Sequence, residues 1–253
     1  VVNAYRELAV DLEETAAPNR AYRIVFRLYD DGVGFRYEFP EQEAMDEVVI
    51  MDEHTHFNLT GDHTTWWIPG DWDIYEHLYN TTRFTEIDAT SKRDHPNLAQ
   101  TYIPENAVNT PVTMRTDDGL HLSFHEAALY DYAGMTLKVD ADNLQWVSEL
   151  VGAPDSSKVT TQVPFVTPWR TVQVAEQAGD LIESKLIVNL NEPNQLDDIS
   201  WFEPTKYMGI WWEMHLGKST WDMASGKHGA TTENAKRYID FCAENDIGAL
   251  LVE

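Results

Sequence analysis

The chain has a single cysteine, Cys242, so no disulfide can form within it, and cysteine usage leaves the redox compartment open. No apolar run approaches the ~18 residues of a membrane-spanning helix, which argues against a helical span. No stretch reads as a secretory leader, although the chain opens abruptly at Val1, as a processed or trimmed product would. Basic residues are scarce, with 18 Lys+Arg against 43 Asp+Glu for a formal net charge of -25. A surface this acidic repels phosphate backbones, so nucleic acid is not an expected partner. Charge of this size also suits a salty setting, where screening relieves self-repulsion. The G-x-G-x-x-G, G-x-x-x-x-G-K-[ST], G-x-S-x-G and H-E-x-x-H patterns are all missing, which leaves nucleotide binding, a nucleophile elbow and a zinc-hydrolase helix without support. His54 and His56 share a strand face, as do His121 and His125, but neither pair has the cysteine partners of a zinc site.

Aromatic side chains are plentiful. Nine Trp and eleven Tyr in 253 residues, at 43% hydrophobic overall, are enough for a large core and for aromatic surfaces on which the apolar faces of sugars stack.

From Tyr5 to about Leu190 the text is strand and turn. Ile24, Phe26 and Leu28 line one face, Asp30-Asp31-Gly32 turns, and Val33, Phe35, Tyr37 and Phe39 return, which is a hairpin. Further strands are expected at "DEVVIM", "THFNL", "VTMRT", "LHLSFHEA", "MTLKV", "NLQWVSEL", "TTQVPFV", "RTVQVAE" and "LIESKLIVNL". Many short strands without intervening helices predict a mainly β chain with an antiparallel β-sandwich over 1–191. "DWDIYEHLYNTTRF" interrupts them as a functional loop or short helix. Residues 192–206 read as a linker closed by Pro204. Over 207–253 the pattern changes. "KYMGIWWEM" is a strand, "TTENAKRYIDFCAEND" an amphipathic helix with Thr231 or Thr232 as N-cap, and "IGALLVE" a buried parallel strand. One such βαβ unit cannot bury its own sheet, so it is expected to begin a (β/α)8 barrel of which the chain is a fragment.

One residue stands against its pattern. Leu120, Leu122 and Phe124 fall on one strand face, and the next position on that face is Glu126. A buried carboxylate without a partner is costly, so Glu126 either reaches water at the strand end, finds a cation from a side chain, or binds a metal.

"FRLYDDGVGFRYEFP", "WWIPGDWDIYEHLY", "HEAALYDYAGM", "KYMGIWWEMHLGKSTW" and "KHGATTENAKRYIDF" with "LLVE" together resemble glycoside hydrolase family 97, the α-glucosidase family of the starch-utilisation type, in order along almost the whole chain. The resemblance implies a β-super-sandwich followed by a (β/α)8 barrel, a periplasmic or secreted location, a calcium ion in the active site, and hydrolysis of terminal α-linked glucose from oligosaccharides. A second subgroup acts on galactose. It further implies that the amino-terminal domain donates one glutamate to calcium at the domain interface, at the position of Glu126. Calcium suits a shell built from several oxygens. The catalytic acid and base, and with them the choice between inversion and retention, would lie beyond residue 253.

What these residues can supply is a sugar pocket. Trp211 and Trp212 should alternate faces at the end of the first barrel strand, one of them a sugar platform. Glu213 could bond a hydroxyl or stand as a surface carboxylate. Lys227 and His228 lie in the βα loop ahead of the helix. Asp71, Trp72, Asp73, Tyr75 and Glu76 concentrate aromatic and hydrogen-bonding groups in one loop. The rival readings are a carbohydrate-binding sandwich with no catalysis of its own and an α-galactosidase.

Overall fold

Alternation of apolar and polar side chains dominates residues 1–193, and a computed structural model, which describes residues 3–93 and 101–252, turns that alternation into sheets. The strands are β1 (Arg6–Glu13), β2 (Ala21–Tyr29), β3 (Gly32–Phe39), β4 (Glu47–Ile50), β5 (His56–Asn58), β6 (Thr64–Trp67), β7 (Asn80–Arg83), β8 (Ala107–Val108), β9 (Val112–Arg115), β10 (His121–Ala127), β11 (Met135–Asp140), β12 (Gln145–Leu150), β13 (Val159–Gln162), β14 (Phe165–Val166) and β15 (Trp169–Ala175). All of their pairings are antiparallel. The large sheet runs β1-β2-β3-β15-β10-β9-β6-β7, with β14 added to β3, and a smaller one runs β5-β12-β11-β8. β4 and β13 form a separate ribbon. The expected hairpin is β2–β3, in register with Phe26 opposite Phe35 and Leu28 opposite Val33, and Tyr29 pairs with Gly32 across a two-residue turn at Asp30-Asp31.

The main core fills the space between the two sheets. Phe124 and Met114 from the large sheet meet Trp146, Leu137 and Phe57 from the small one, and Phe84 sets its ring edge-on to Trp146 at 4.8 Å. Stacked sheets bury the inward half of each strand, and β12 alternates accordingly, with Trp146, Ser148 and Leu150 buried. β10 departs from that rule. Ser123 and Phe124 are both buried, as are Glu126 and Ala127, because this central strand is covered on both faces.

The second cover corrects one expectation. Residues 181–190, read as a strand, instead form two short helices, α1 (Asp180–Glu183) and α2 (Leu186–Leu190). Leu186 and Leu190, four residues apart, lie on one helical face and complete a second core with Val25, Ala127 and Trp169. The reason lies on β3. Gly32 and Gly34 leave dents in the sheet, and a Cβ on Gly34 would collide with the Leu190 side chain that fills its dent. Gly34→Val is therefore expected to cost about 1–3 kcal/mol in urea unfolding, the usual penalty of overpacking. A value within error of zero would mean that α2 can lift away freely.

"TTQVPFV" also divides. Pro164, with no N–H to give, separates β13, which pairs with β4, from β14, which pairs with β3.

The chain splits into two compact units, Val1–Pro193 and Asn194–Glu253. In the second, β16 (Tyr207–Gly209) lies parallel to β17 (Ala249–Leu251), joined through α3 (Trp212–His215) and α4 (Thr232–Glu244). Thr231 caps α4 by accepting the Asn234 N–H at 3.2 Å. On α4 Cys242 is buried and Ala235 and Tyr238 are half-buried, while Ile239 remains 53% exposed. Among the described residues no helix is long and apolar enough to cross a membrane.

Candidate functional site

The carboxylate on the apolar face of β10 has an immediate answer. β10 and β15 pair so that Glu126 lies directly opposite Arg170. Arg170 Nη1 donates to Glu126 Oε2 at 2.6 Å, and the Met135 N–H donates to Oε1 at 3.0 Å. The remaining edge of the guanidinium grips a third residue: Nε and Nη2 of Arg170 reach the two oxygens of Glu53 at 2.8 and 2.6 Å. Glu53 arrives from the loop between β4 and β5, and Thr55 and Tyr132 donate their hydroxyls to it at 2.8 and 3.2 Å. All three charged side chains are out of water, at 0% exposure for Arg170, 7% for Glu53 and 8% for Glu126.

Two carboxylates share one guanidinium, which leaves the cluster one negative charge in excess when all its groups are ionised. Burial pushes the Glu126 carboxyl above its ordinary pKa, and the charge and hydrogen bond of Arg170 with the Met135 N–H offset only part of that rise. Arg170 is held above its ordinary value, because the hydrogen bonds and charges of its carboxylate partners outweigh its burial. Among the described residues no group of three or more His, Cys, Asp or Glu side chains stands ready to hold a metal ion. Glu126 fits a cation as one ligand, since its carboxylate is negative, incompletely bonded and in a region of excess negative charge. Six to eight oxygens make a calcium shell, so a calcium ion on Glu126 would need most of its ligands from elsewhere.

The loop at 71–79 is held from within. Asp71 has a fully buried carboxylate that accepts the Thr101 hydroxyl and the N–H groups of Asp73 and Ile74 at 3.0 and 3.2 Å, with His77 Nε2 3.2 Å away. Its own N–H donates to Asn109 at 3.0 Å. Burial raises the Asp71 pKa, but the bonds it accepts outweigh burial and hold it below the usual carboxylate range. Asp71 thus organises the loop from inside it. What the loop offers outward is Trp72, Tyr75 and Tyr79, with Tyr75 77% exposed and Glu76 in solvent beside it.

The tryptophan pair departs from its expected geometry. β16 ends at Gly209, Trp211 is the N-cap of α3 and Trp212 its first residue, so the two do not alternate along a strand. Among the described residues β16 pairs with the three-residue β17, and the chain then winds into a helical turn. The rings stand 5.8 Å apart and edge-on, and His215, one turn after Trp211, brings its ring to 4.5 Å from Trp211 and 5.1 Å from Trp221. Trp212 and Trp221 keep half of their surface exposed, so the unit presents an aromatic face.

Glu213 is engaged inward. It accepts from Arg237 at 2.5 Å and from Asn234 at 3.1 Å, tying α3 to α4. Burial raises its pKa, the bonds from Asn234, Arg237 and Tyr238 lower it more, and it lies below the ordinary value. His228 is half-buried and bridges in parallel to Thr220, with its Nδ1 lacking a protein partner, while Lys227 is exposed.

Sequence reading anticipated a cation near Glu126 but not Arg170 or Glu53. The one available signal was an arginine inside a strand, in "PWRTV" between Trp169 and Thr171. It could be matched to Glu126 only through a strand pairing that spans 44 residues.

A large antiparallel sandwich followed by a parallel βαβ unit, each carrying exposed aromatic side chains, is an architecture that a carbohydrate-active protein can use. The chain belongs to glycoside hydrolase family 97. Residues 1–193 match the family's amino-terminal domain, "Glycosyl-hydrolase 97 N-terminal", and residues 211–253 match "Glycoside hydrolase 97". It is similar to a family 97 enzyme from Pseudoalteromonas sp. strain K8 solved in complex with acarbose, at 40% identity and a TM-score of 0.82 over 98% of this chain and 35% of that one. A variant of that enzyme in complex with panose is equally similar. Among curated relatives, a retaining alpha-galactosidase of Bacteroides thetaiotaomicron is 21% identical over 92% of this chain and 36% of its own length. A probable retaining alpha-galactosidase of Streptomyces bingchenggensis is 23% identical over 88% and 29%. The chain therefore spans about a third of the length of the proteins it matches.

Proposed function

We propose that the protein is a calcium-dependent, exo-acting α-glucoside hydrolase of the periplasm or cell exterior, to which this chain contributes the sandwich and the first βαβ unit of a (β/α)8 barrel. The observation that carries the glucosyl preference is the contrast in likeness. Identity reaches 40% with the enzyme that holds acarbose and panose, panose being a trisaccharide of α-linked glucose, and only 21% and 23% with the α-galactosidases. Those two relatives are also what sustains a second reading, release of terminal α-linked galactose.

Glycoside hydrolysis needs one carboxylic acid to protonate the leaving oxygen and a second carboxylate as base or nucleophile. Glu213, ion-paired and held below the usual range, is poorly suited to give up a proton near neutrality. In this reading the acid and base come from other parts of the protein, and these residues bind. Trp212 and Trp221 offer ring faces to a pyranose, and Trp72, Tyr75 and Glu76 offer a second aromatic and hydrogen-bonding surface. Glu126 would give one oxygen to calcium, which when bound would orient and polarise substrate or water.

The test is release of p-nitrophenol from its α-glucoside and α-galactoside by the full-length protein, before and after thorough chelation. Faster turnover of the glucoside, lost with chelator and restored by calcium, is expected. A preference for the galactoside would replace the substrate assignment, and activity indifferent to chelation would remove the metal.

A further inference from the structure

Glu53 and Glu126 share Arg170 unequally. Glu53 accepts four donors, Thr55 and Arg170 Nε on Oε1 and Tyr132 and Arg170 Nη2 on Oε2. An ionised carboxylate offers about four lone-pair positions, so Glu53 is saturated. Glu126 accepts two, from Met135 and from Arg170 Nη1, and keeps the other positions open. Residue 134, beside it, is a glycine, and a Cβ built there would stand in ordinary contact at 3.8 Å from Glu126 Oε1.

We propose that Glu53 is a positioning residue for a divalent cation on Glu126. By holding Nε and Nη2, Glu53 fixes the guanidinium in the pose in which Nη1 alone reaches Glu126, and anchors it there. Glu126 is thereby fixed in orientation yet left with unfilled acceptor positions and an unneutralised share of charge. Without the Glu53 carboxylate, the fork of Arg170 is free to turn onto Glu126, where two parallel N–H···O bonds would compete directly with a metal. The inference rests on the calcium reading of Glu126 and adds to it the residue that makes that carboxylate available. Supporting groups of this kind, one bond removed from a metal, typically govern affinity by 10- to 100-fold.

The experiment is calcium titration by calorimetry, with terbium luminescence as a second probe, on the full-length protein and its Glu53→Gln and Glu126→Gln variants. Melting in metal-free buffer reports the fold separately. Glu53→Gln is expected to weaken calcium by about 10- to 100-fold while still melting cooperatively. Glu126→Gln should weaken it at least as much. If Glu126→Gln loses calcium and Glu53→Gln binds as the native protein does, Glu53 has only a structural role and the inference falls while the calcium reading stands. Unchanged binding by Glu126→Gln would sink both. Should Glu53→Gln fail to fold, Tyr132→Phe, which removes one bond to Glu53 and no charge, must weaken calcium in the same direction. Unchanged affinity in that variant overturns the proposal.

Discussion

Arg170→Met is expected to destabilise the sandwich by about 3–5 kcal/mol, read from chemical unfolding. The side chain has no exposed surface, and its removal leaves Glu53 and Glu126 buried near each other with no compensating cation. Glu53 would retain the hydroxyls of Thr55 and Tyr132, and Glu126 only the Met135 N–H. Since the penalty arises from orphaned charge and not from lost contact area, neutralising both carboxylates should return much of it. The triple variant Arg170→Met, Glu53→Gln, Glu126→Gln is expected to be more stable than Arg170→Met alone. Equal stability of the two would show that packing of the guanidinium, and not charge balance, holds this region together.

The second large effect concerns the loop at 71–79. Asp71→Ala should cost about 3 kcal/mol, because the Thr101 hydroxyl and the N–H groups of Asp73 and Ile74 lose their common acceptor at a buried position. Tyr75→Ala provides the contrast. With 77% of its surface in solvent, Tyr75 contributes little to the fold, and its removal should stay within about 0.5 kcal/mol of the native stability. If the outward face of the loop binds sugar, Tyr75→Ala raises KM for an oligosaccharide substrate several-fold at unchanged stability. An unchanged KM would reduce the loop to a connector. The two substitutions separate an acid that shapes the loop from a ring that the loop presents, four residues apart in one motif.

That separation was not legible in the sequence. Asp71, Tyr75 and Glu76 look alike as hydrogen-bonding groups within "GDWDIYEHLY", and the local bonds Asp71 accepts from Asp73 and Ile74 do not by themselves say that its carboxylate is buried. Its principal side-chain partner, Thr101, is 30 residues away. The hairpin β2–β3 could be read directly, because period-two alternation and a two-residue acidic turn are local properties. The helix at 232–244 was equally readable, since capping by Thr231 and the 3.6-residue repeat lie within one segment. Residues 181–190 misled because Leu, Ile and Val favour either structure in a short run. The structure instead packs Leu186 and Leu190, one helical turn apart, against Gly32 and Gly34, some 150 residues earlier in the chain. Trp211 and Trp212 misled because an apolar, aromatic run suits a strand or a helical turn equally, and the chain turns helical at Trp211.

The sequence by itself determined the class of fold, the acidity of the surface and the presence of a carboxylate on an apolar strand face, because each follows from composition or from spacing within a single segment, and the family through motifs that resemble it in order along the chain. Tertiary structure alone decided what that carboxylate meets. Glu126 and Arg170 are joined across 44 residues and Glu53 and Arg170 across 117, so their shared charge exists only once three distant segments are set in register. Coulombic and hydrogen-bond energies depend on ångström separations and on exclusion of water, and neither is a property of any one stretch of chain.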